Sequence, residues 1–237
     1  MSSVDLSESS KQAKMPRLPC AWTVDETVLT QRSPDTLGRG FFVQVPFELL
    51  PGRFICLAIQ LAALSHAMSA QAAKDAGNER RSAILDTRNA LQHQLLSLPL
   101  VQSDETAQQA LAERGLYRCC WLAAVIYSNA VIFALTPHSG WQLTLTKRLQ
   151  ALLETYEYST WSAGLDDVLL WIVVMGGLAS LEGPNAAFFR DALRDILWKR
   201  GNPSWPAVMD VLTGFLWLEK ACAHAARLLW LSLSDDE

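Results

Sequence analysis

From Val168 to Leu181 the chain reads Val-Leu-Leu-Trp-Ile-Val-Val-Met-Gly-Gly-Leu-Ala-Ser-Leu, with Asp166-Asp167 before it and Glu182 after it. A helix over this stretch is apolar on every side. It cannot lie at a surface and has to be covered all round by other elements. The run is also shorter than the ~18–20 residues that cross a bilayer, so it reads as the centre of a bundle. Gly176-Gly177 lacks the Lys and Ser/Thr that a phosphate loop needs, and close helix packing is the simpler use of two glycines there. The longer run over 119–135 is interrupted by Ser128-Asn129 and also reads as a buried core helix.

The chain has 237 residues, 50% of them hydrophobic, which is enough for one sizeable core. Helical spacing recurs from residue 53 onward. A first helix spans 54–73. A second, over 81–97, carries Ile84, Arg88, Leu91, Leu95 and Leu98 at steps of four and three, and Pro99 stops it. Ser103-Asp104-Glu105 is a helix start, and that helix runs through Tyr117 to Leu135, with Gly115 as a weak spot. Residues 136–140 form a loop. Leu145, Leu149, Leu152 and Leu153 share one side of a helix over 143–157. Asn185 caps a helix over 186–199, with Gly201 as its left-handed stop. Ser204 caps the last, with Pro206 in its first turn, and that helix extends to Trp230. The expectation is an all-α fold, an irregular multi-helix bundle of about seven helices over 53–232. Before it, 1–20 reads as a disordered tail and 21–52 as an irregular segment with a short extended piece over 41–45.

Charge and cysteine usage exclude several function classes. The net charge is −4 and charged residues make up 19%, below the about 25% of an average domain. The densest basic points, Glu79-Arg80-Arg81 and Lys199-Arg200, read as solvated helix ends, so direct nucleic-acid binding is not expected. Five cysteines, Cys20, Cys56, Cys119, Cys120 and Cys222, contain no Cys-x-x-Cys pair. No zinc cluster can be built from them, and a reducing compartment fits best. His66, His93, His138 and His224 have no partner at metal-ligand spacing, because Cys222 and His224 point to different faces of a helix. Asp191 and Asp195 share a face but are flanked by Arg190 and Arg194, so surface ion pairing explains them. No nucleophile elbow is present. No catalytic residue, cofactor or metal is assigned, and no membrane association is expected.

The nine tryptophans leave two readings open. Trp171, Trp198, Trp205, Trp217 and Trp230 all fall in the C-terminal helices. They build either a Trp-rich core or an apolar pocket or groove, for a small hydrophobic effector or a partner helix. Trp171 and Met175 share a face, and together with Trp198, Trp205 and Trp217 they are the candidate lining.

Several segments arrive in an order that resembles the fungal-specific transcription factor domain, over about residues 80–232. They are Arg88…Leu91…Leu95…Leu98-Pro99, Tyr117-Arg118 with 123–127, the apolar 169–179, Trp205, and Phe215-Leu216-Trp217 with Cys222 and Trp230. The resemblance implies the regulatory half of a zinc-cluster activator, here without the cysteine cluster or basic linker. It implies nuclear residence, extending to the cytoplasm, and contact with a zinc-cluster transcription factor or other regulatory protein. It further implies control of metabolic or secondary-metabolite genes through such partners, and no enzymatic activity. The chain is then a free-standing regulator or the regulatory part of a longer gene product. The alternative is a helical small-molecule-binding protein or enzyme of a fungal biosynthetic gene cluster.

Overall fold

The computed structural model describes residues 3–30, 38–46, 48–71, 77–98, 108–136, 140–158 and 163–233. Among them every regular element is helical. In chain order these are α1 (Ser3–Lys11), α2 (Glu26–Leu29), α3 (Arg39–Val43), α4 (Gly52–Gln71), α5 (Asn78–Leu96) and α6 (Gln108–Tyr127). A π-turn (Ser128–Ile132) extends α6. Then come α7 (Trp141–Thr155), a 3₁₀ turn (Ala163–Leu165), α8 (Asp166–Ser180), α9 (Ala186–Lys199), α10 (Trp205–Thr213) and α11 (Glu219–Leu231). The expected stops and starts at Pro99, at 103–105 and at 137–139 lie outside the described residues.

α8 is the axis of the molecule. Every residue from Val168 to Gly177 is buried, and α3, α6, α7, α9, α10 and α11 all pack against it. The glycine pair sets the distance of two of these neighbours. A methyl group on Gly176 would overlap the Phe189 ring of α9, and one on Gly177 would overlap Leu229 of α11. The helix spanning Gly115–Ile132 is apolar and long enough to cross a bilayer, as is Gly52–Ala70. In the first of these nearly all the residues face other helices, whereas α4 turns only half of its surface inward.

The C-terminal segment forms two helices where the spacing predicts one. Phe215, Leu216 and Trp217 are consecutive and all buried. Held on one helix they would fan over about 200° of its circumference, which no surface helix can bury. Interrupting the helix over 214–218 lets all three enter the core. The polar groups freed by the break are paired. Trp171 Nε1 donates to the Leu216 carbonyl at 3.1 Å, and the Gly40 amide donates to the Gly214 carbonyl at 2.6 Å.

The N-terminal segment is also more ordered than its composition implies. Residues 3–11 are helical, not a disordered tail, and α1 lies on α5 and α7. Leu6 and Ser10 are wholly buried. Ser10 Oγ donates to Asn129 Oδ1 and accepts from Gln92 Nε2 at 2.5 Å. Asn129 Nδ2 donates to the Ser10 carbonyl at 3.2 Å, and Ser128 Oγ donates to Gln92 Oε1. All four side chains have no exposed surface. Burying such groups is tolerable only because each has a partner. Residues 41–45, expected as an extended piece, mostly enter α3. Its Phe41 inserts edge-on against Trp171 and Phe215, each with centroids 5.0 Å away.

Gln92→Leu should cost about 1–3 kcal/mol in urea unfolding, because it strands the Ser128 hydroxyl in a dry site and removes the donor to Ser10 Oγ. Lys11→Gln, which breaks only a surface pair with Glu8, should cost under about 1 kcal/mol. Equal effects would refute the buried network. Gly176→Ala should cost about 1–3 kcal/mol by the same assay, since α9 has to move for the added methyl. An unchanged unfolding midpoint would contradict the close approach of Phe189.

Candidate functional site

The five candidate lining residues do not meet in one pocket. Trp171 is a core side chain, stacked on Phe215 with centroids 5.7 Å apart and its N–H spent on Leu216. Trp217 is buried too, and its Nε1 donates to Glu219 Oε2 at 2.9 Å. Trp205 is half-buried against Trp230 at 5.4 Å, with the Arg227 guanidinium over its ring. Trp198 stands at the end of α9 with 75% of its surface exposed. Met175 lines a cavity among the described residues.

That cavity lies where the end of α6 and its π-turn, the start of α7, α8 and α11 meet. Its walls include Tyr127, Val131, Trp141, Met175, Ala179 and Cys222, and its volume is about 120 Å³. The polar atoms of its aromatic walls are committed elsewhere. Tyr127 Oη donates to Ser65 Oγ at 2.8 Å, and Trp141 Nε1 donates to the Leu135 carbonyl at 3.4 Å. Burial raises the pKa of both Tyr127 and Cys222, the latter to about 11, so the thiol is neutral at ordinary pH. Gln142 supplies the one amide side chain of the lining. Sites for drug-sized ligands run from about 300 Å³ upward. This cleft therefore accommodates a small apolar group and presents no set of converging polar contacts.

A second concavity, between α6 and α7, carries two arginines on a largely apolar lining. It encloses about 230 Å³ and is lined by Arg118, Trp121, Arg148, Ala151, Leu152 and Thr155. Arg118 Nη1 donates to Tyr156 Oη at 3.0 Å. The Tyr156 ring lies directly on the α6 backbone at Gly115, where any side chain would collide with it. Gly115 is thus the seat of the tyrosine. Arg148 Nη1 donates to the carbonyls of Gln12 and Ala13, the latter at 3.2 Å, holding the chain just after α1. Burial depresses the pKa of Arg148, and the Arg118 charge adds to the effect. Neither arginine has a carboxylate partner among the described residues. Arg118 alone inside the apolar stretch 116–127 was the sequence signal for this site. Its pairing with Arg148 is tertiary and has no signature in spacing.

The remaining polar candidates are structural. Arg194 pairs with exposed Asp191 at 3.0 Å, and Arg200 pairs with Asp167. Cys222 is buried and His224 exposed, on different faces of α11. His138 lies outside the described residues. No group of three His, Cys, Asp or Glu side chains able to hold a metal ion occurs among the described residues.

Native protein should react with a thiol reagent at Cys20 and Cys56, which are exposed, and not at Cys119, Cys120 or Cys222, which are buried. All five should react in denaturant, and rapid native labelling of Cys222 would show that the Met175 cleft opens to solvent. Comparison with protein-family models, with curated proteins and with solved structures gives no match for this chain.

Proposed function

We propose that this chain is a non-catalytic regulatory module of the fungal transcription-factor-domain type, acting through protein contacts. One observation carries the reading. The segments that resemble that domain are not scattered over the surface. Leu91 and Leu95 of α5, residues 116–117 and 119–127 of α6, 168–175 of α8 and 215–217 are all buried in a single core. Side chains dispersed in sequence are thus joined as one packed unit, as a domain-level resemblance requires.

The means of contact is an exposed apolar face. α3 lies on α4, and these helices leave Phe42, Val43 and Ile59 in solvent, with Phe42 and Val43 each 64% exposed. Large apolar side chains grouped this way mark interaction surfaces. The chemistry of the rest agrees with a binding role. The described histidines and carboxylates are engaged in structural contacts or dispersed, and the net charge of −4 disfavours phosphate-backbone binding.

The second reading, a helical small-molecule carrier or enzyme, rests on the cleft at Met175. Its volume of about 120 Å³ suits a short alkyl group better than a whole metabolite.

Fused to a heterologous zinc-cluster DNA-binding module, the chain should change reporter output severalfold and accumulate in nuclei. Phe42→Asp combined with Ile59→Asp should abolish the change while leaving the circular dichroism spectrum intact. Cytosolic fluorescence with an inert reporter would remove this reading and leave the carrier or enzyme.

A further inference from the structure

We infer that the groove between α6 and α7 is a binding site for a small organic oxyanion, a carboxylate or phosphate carrying an apolar body, gripped by Arg118 and Arg148. Two guanidiniums share one concavity of about 230 Å³. Like charges held this close repel, and the partial burial of Arg148 strengthens that repulsion by removing the solvent that would screen it. Proteins ordinarily relieve such a pair with a carboxylate, and none is present among the described residues. An anion entering from solvent supplies the missing charge.

The donors are suitably disposed. Each guanidinium carries five N–H groups in a planar fork that matches a carboxylate or phosphate. Arg118 spends Nη1 on Tyr156 and Arg148 spends Nη1 on the Gln12 and Ala13 carbonyls. Those bonds fix both planes and leave Nε and Nη2 of each free for a ligand. The other walls decide what the anion is attached to. Trp121, whose N–H is bonded to the Leu95 carbonyl at 2.7 Å, presents hydrocarbon to the groove beside Ala151 and Leu152. Thr155 Oγ1 is turned to the Ala151 carbonyl at 2.6 Å. The site therefore pairs a charged end with an apolar end and favours an aryl or short alkyl oxyanion over bare phosphate.

The groove is also connected to the N-terminus. The guanidinium that would hold the anion also holds the chain after α1. A ligand that immobilises Arg148 tightens this strap, and cleavage by trypsin after exposed Lys14 and Arg17 should slow.

The test is calorimetric titration of the full chain with phenyl phosphate, benzoate and inorganic phosphate. Saturable binding of at least one aryl anion is expected, at least about tenfold tighter than inorganic phosphate. Arg118→Gln should weaken it about tenfold or more. Arg118→Lys, which keeps the charge and loses the fork, should fall between, and Tyr156→Phe, which releases Arg118 Nη1 but keeps the guanidinium, should weaken binding less than Arg118→Gln does. Protection of Lys14 and Arg17 from trypsin should track occupancy in each variant. If Arg148→Gln loosens α1, Arg118→Gln still decides, because Arg118 does not touch that segment. The relative affinities of phenyl phosphate and benzoate assign the ligand's head group. No saturable binding of any probe, or equal affinity in wild type and Arg118→Gln, would overturn the site. Either result would leave the reporter assay untouched, because Phe42 and Ile59 are not part of this groove.

Discussion

The fold depends on the need to cover α8. A helix with no polar face gains from burial on all sides, and each apolar side chain removed from water contributes about 1.5–3 kcal/mol. Six helices supply that cover. Two of them come closer than ordinary side chains allow, because Gly176 and Gly177 give the Phe189 ring and Leu229 room against the backbone. The demand also explains the break before α11. A continuous helix would have laid one stripe of side chains on α8. The interrupted chain places Phe215, Leu216 and Trp217 into the core and offers a carbonyl to the only polar atom of Trp171. The aromatic cluster is then closed by Phe41 from α3, so a short N-terminal helix becomes part of the same core.

A second constraint is polar. Ser128 and Asn129 interrupt the apolar run that begins at Cys119, and by spacing alone they look like a defect in a helix. In the fold they mark the π-turn, where the widened backbone carries their side chains into a site that α1 completes. Asn129 receives Ser10, Gln92 bridges Ser10 to Ser128, and every member is paired. A half-made version of this network would cost more than an apolar one, so the N-terminal helix is held by satisfaction of buried groups as much as by Leu6. The same logic accounts for Arg88 on the apolar side of α5. Its guanidinium lies 4.5 Å from the Phe133 ring centroid and its nitrogens bond Asn89.

These two constraints mark the boundary of what the residues disclose in one dimension. α9 occupies the 186–199 span read from its spacing, because its amphipathic stripe is wide and Gly201 adopts the left-handed conformation that ends it. Asn185 stands before it but does not cap it, since its amide turns to Gln150. α4, α5, α7 and α8 were legible for the same reason, each being a local pattern. Local patterns fail where a distant partner changes their meaning. A serine-rich segment reads as solvated until Gln92 and Asn129 are placed opposite Ser10. Phe215 to Trp217 read as helical until Trp171 needs an acceptor. The candidate lining residues followed the same course. Tryptophans grouped by sequence occupy separate places, Trp171 and Trp217 in the core, Trp205 half-buried and Trp198 at the surface. The arginine groove arises from α6 and α7 crossing, and no interval along the chain encodes it.

The distribution of polarity bears on what such a molecule can do. The core is apolar, and the N–H groups of Trp171, Trp121 and Trp217 are committed to Leu216, Leu95 and Glu219. Among the described residues, two features open to solvent differ in kind. Phe42, Val43 and Ile59 are apolar and cover area without geometry, which suits a protein surface. Arg118 and Arg148 are charged, directional and fixed by bonds to a tyrosine and to the N-terminal strap, which suits a small ligand. The two lie on different helices, so they can be occupied independently. α3 and the strap after α1 nevertheless share the same core. α3 inserts Phe41 against α8, α8 packs on α7, and α7 carries Arg148. A ligand that stiffens Arg148 acts on a helix already in contact with the one supporting Phe41. Coupling between the groove and the apolar face therefore requires only that occupancy of the first change how firmly α7 and α8 are held.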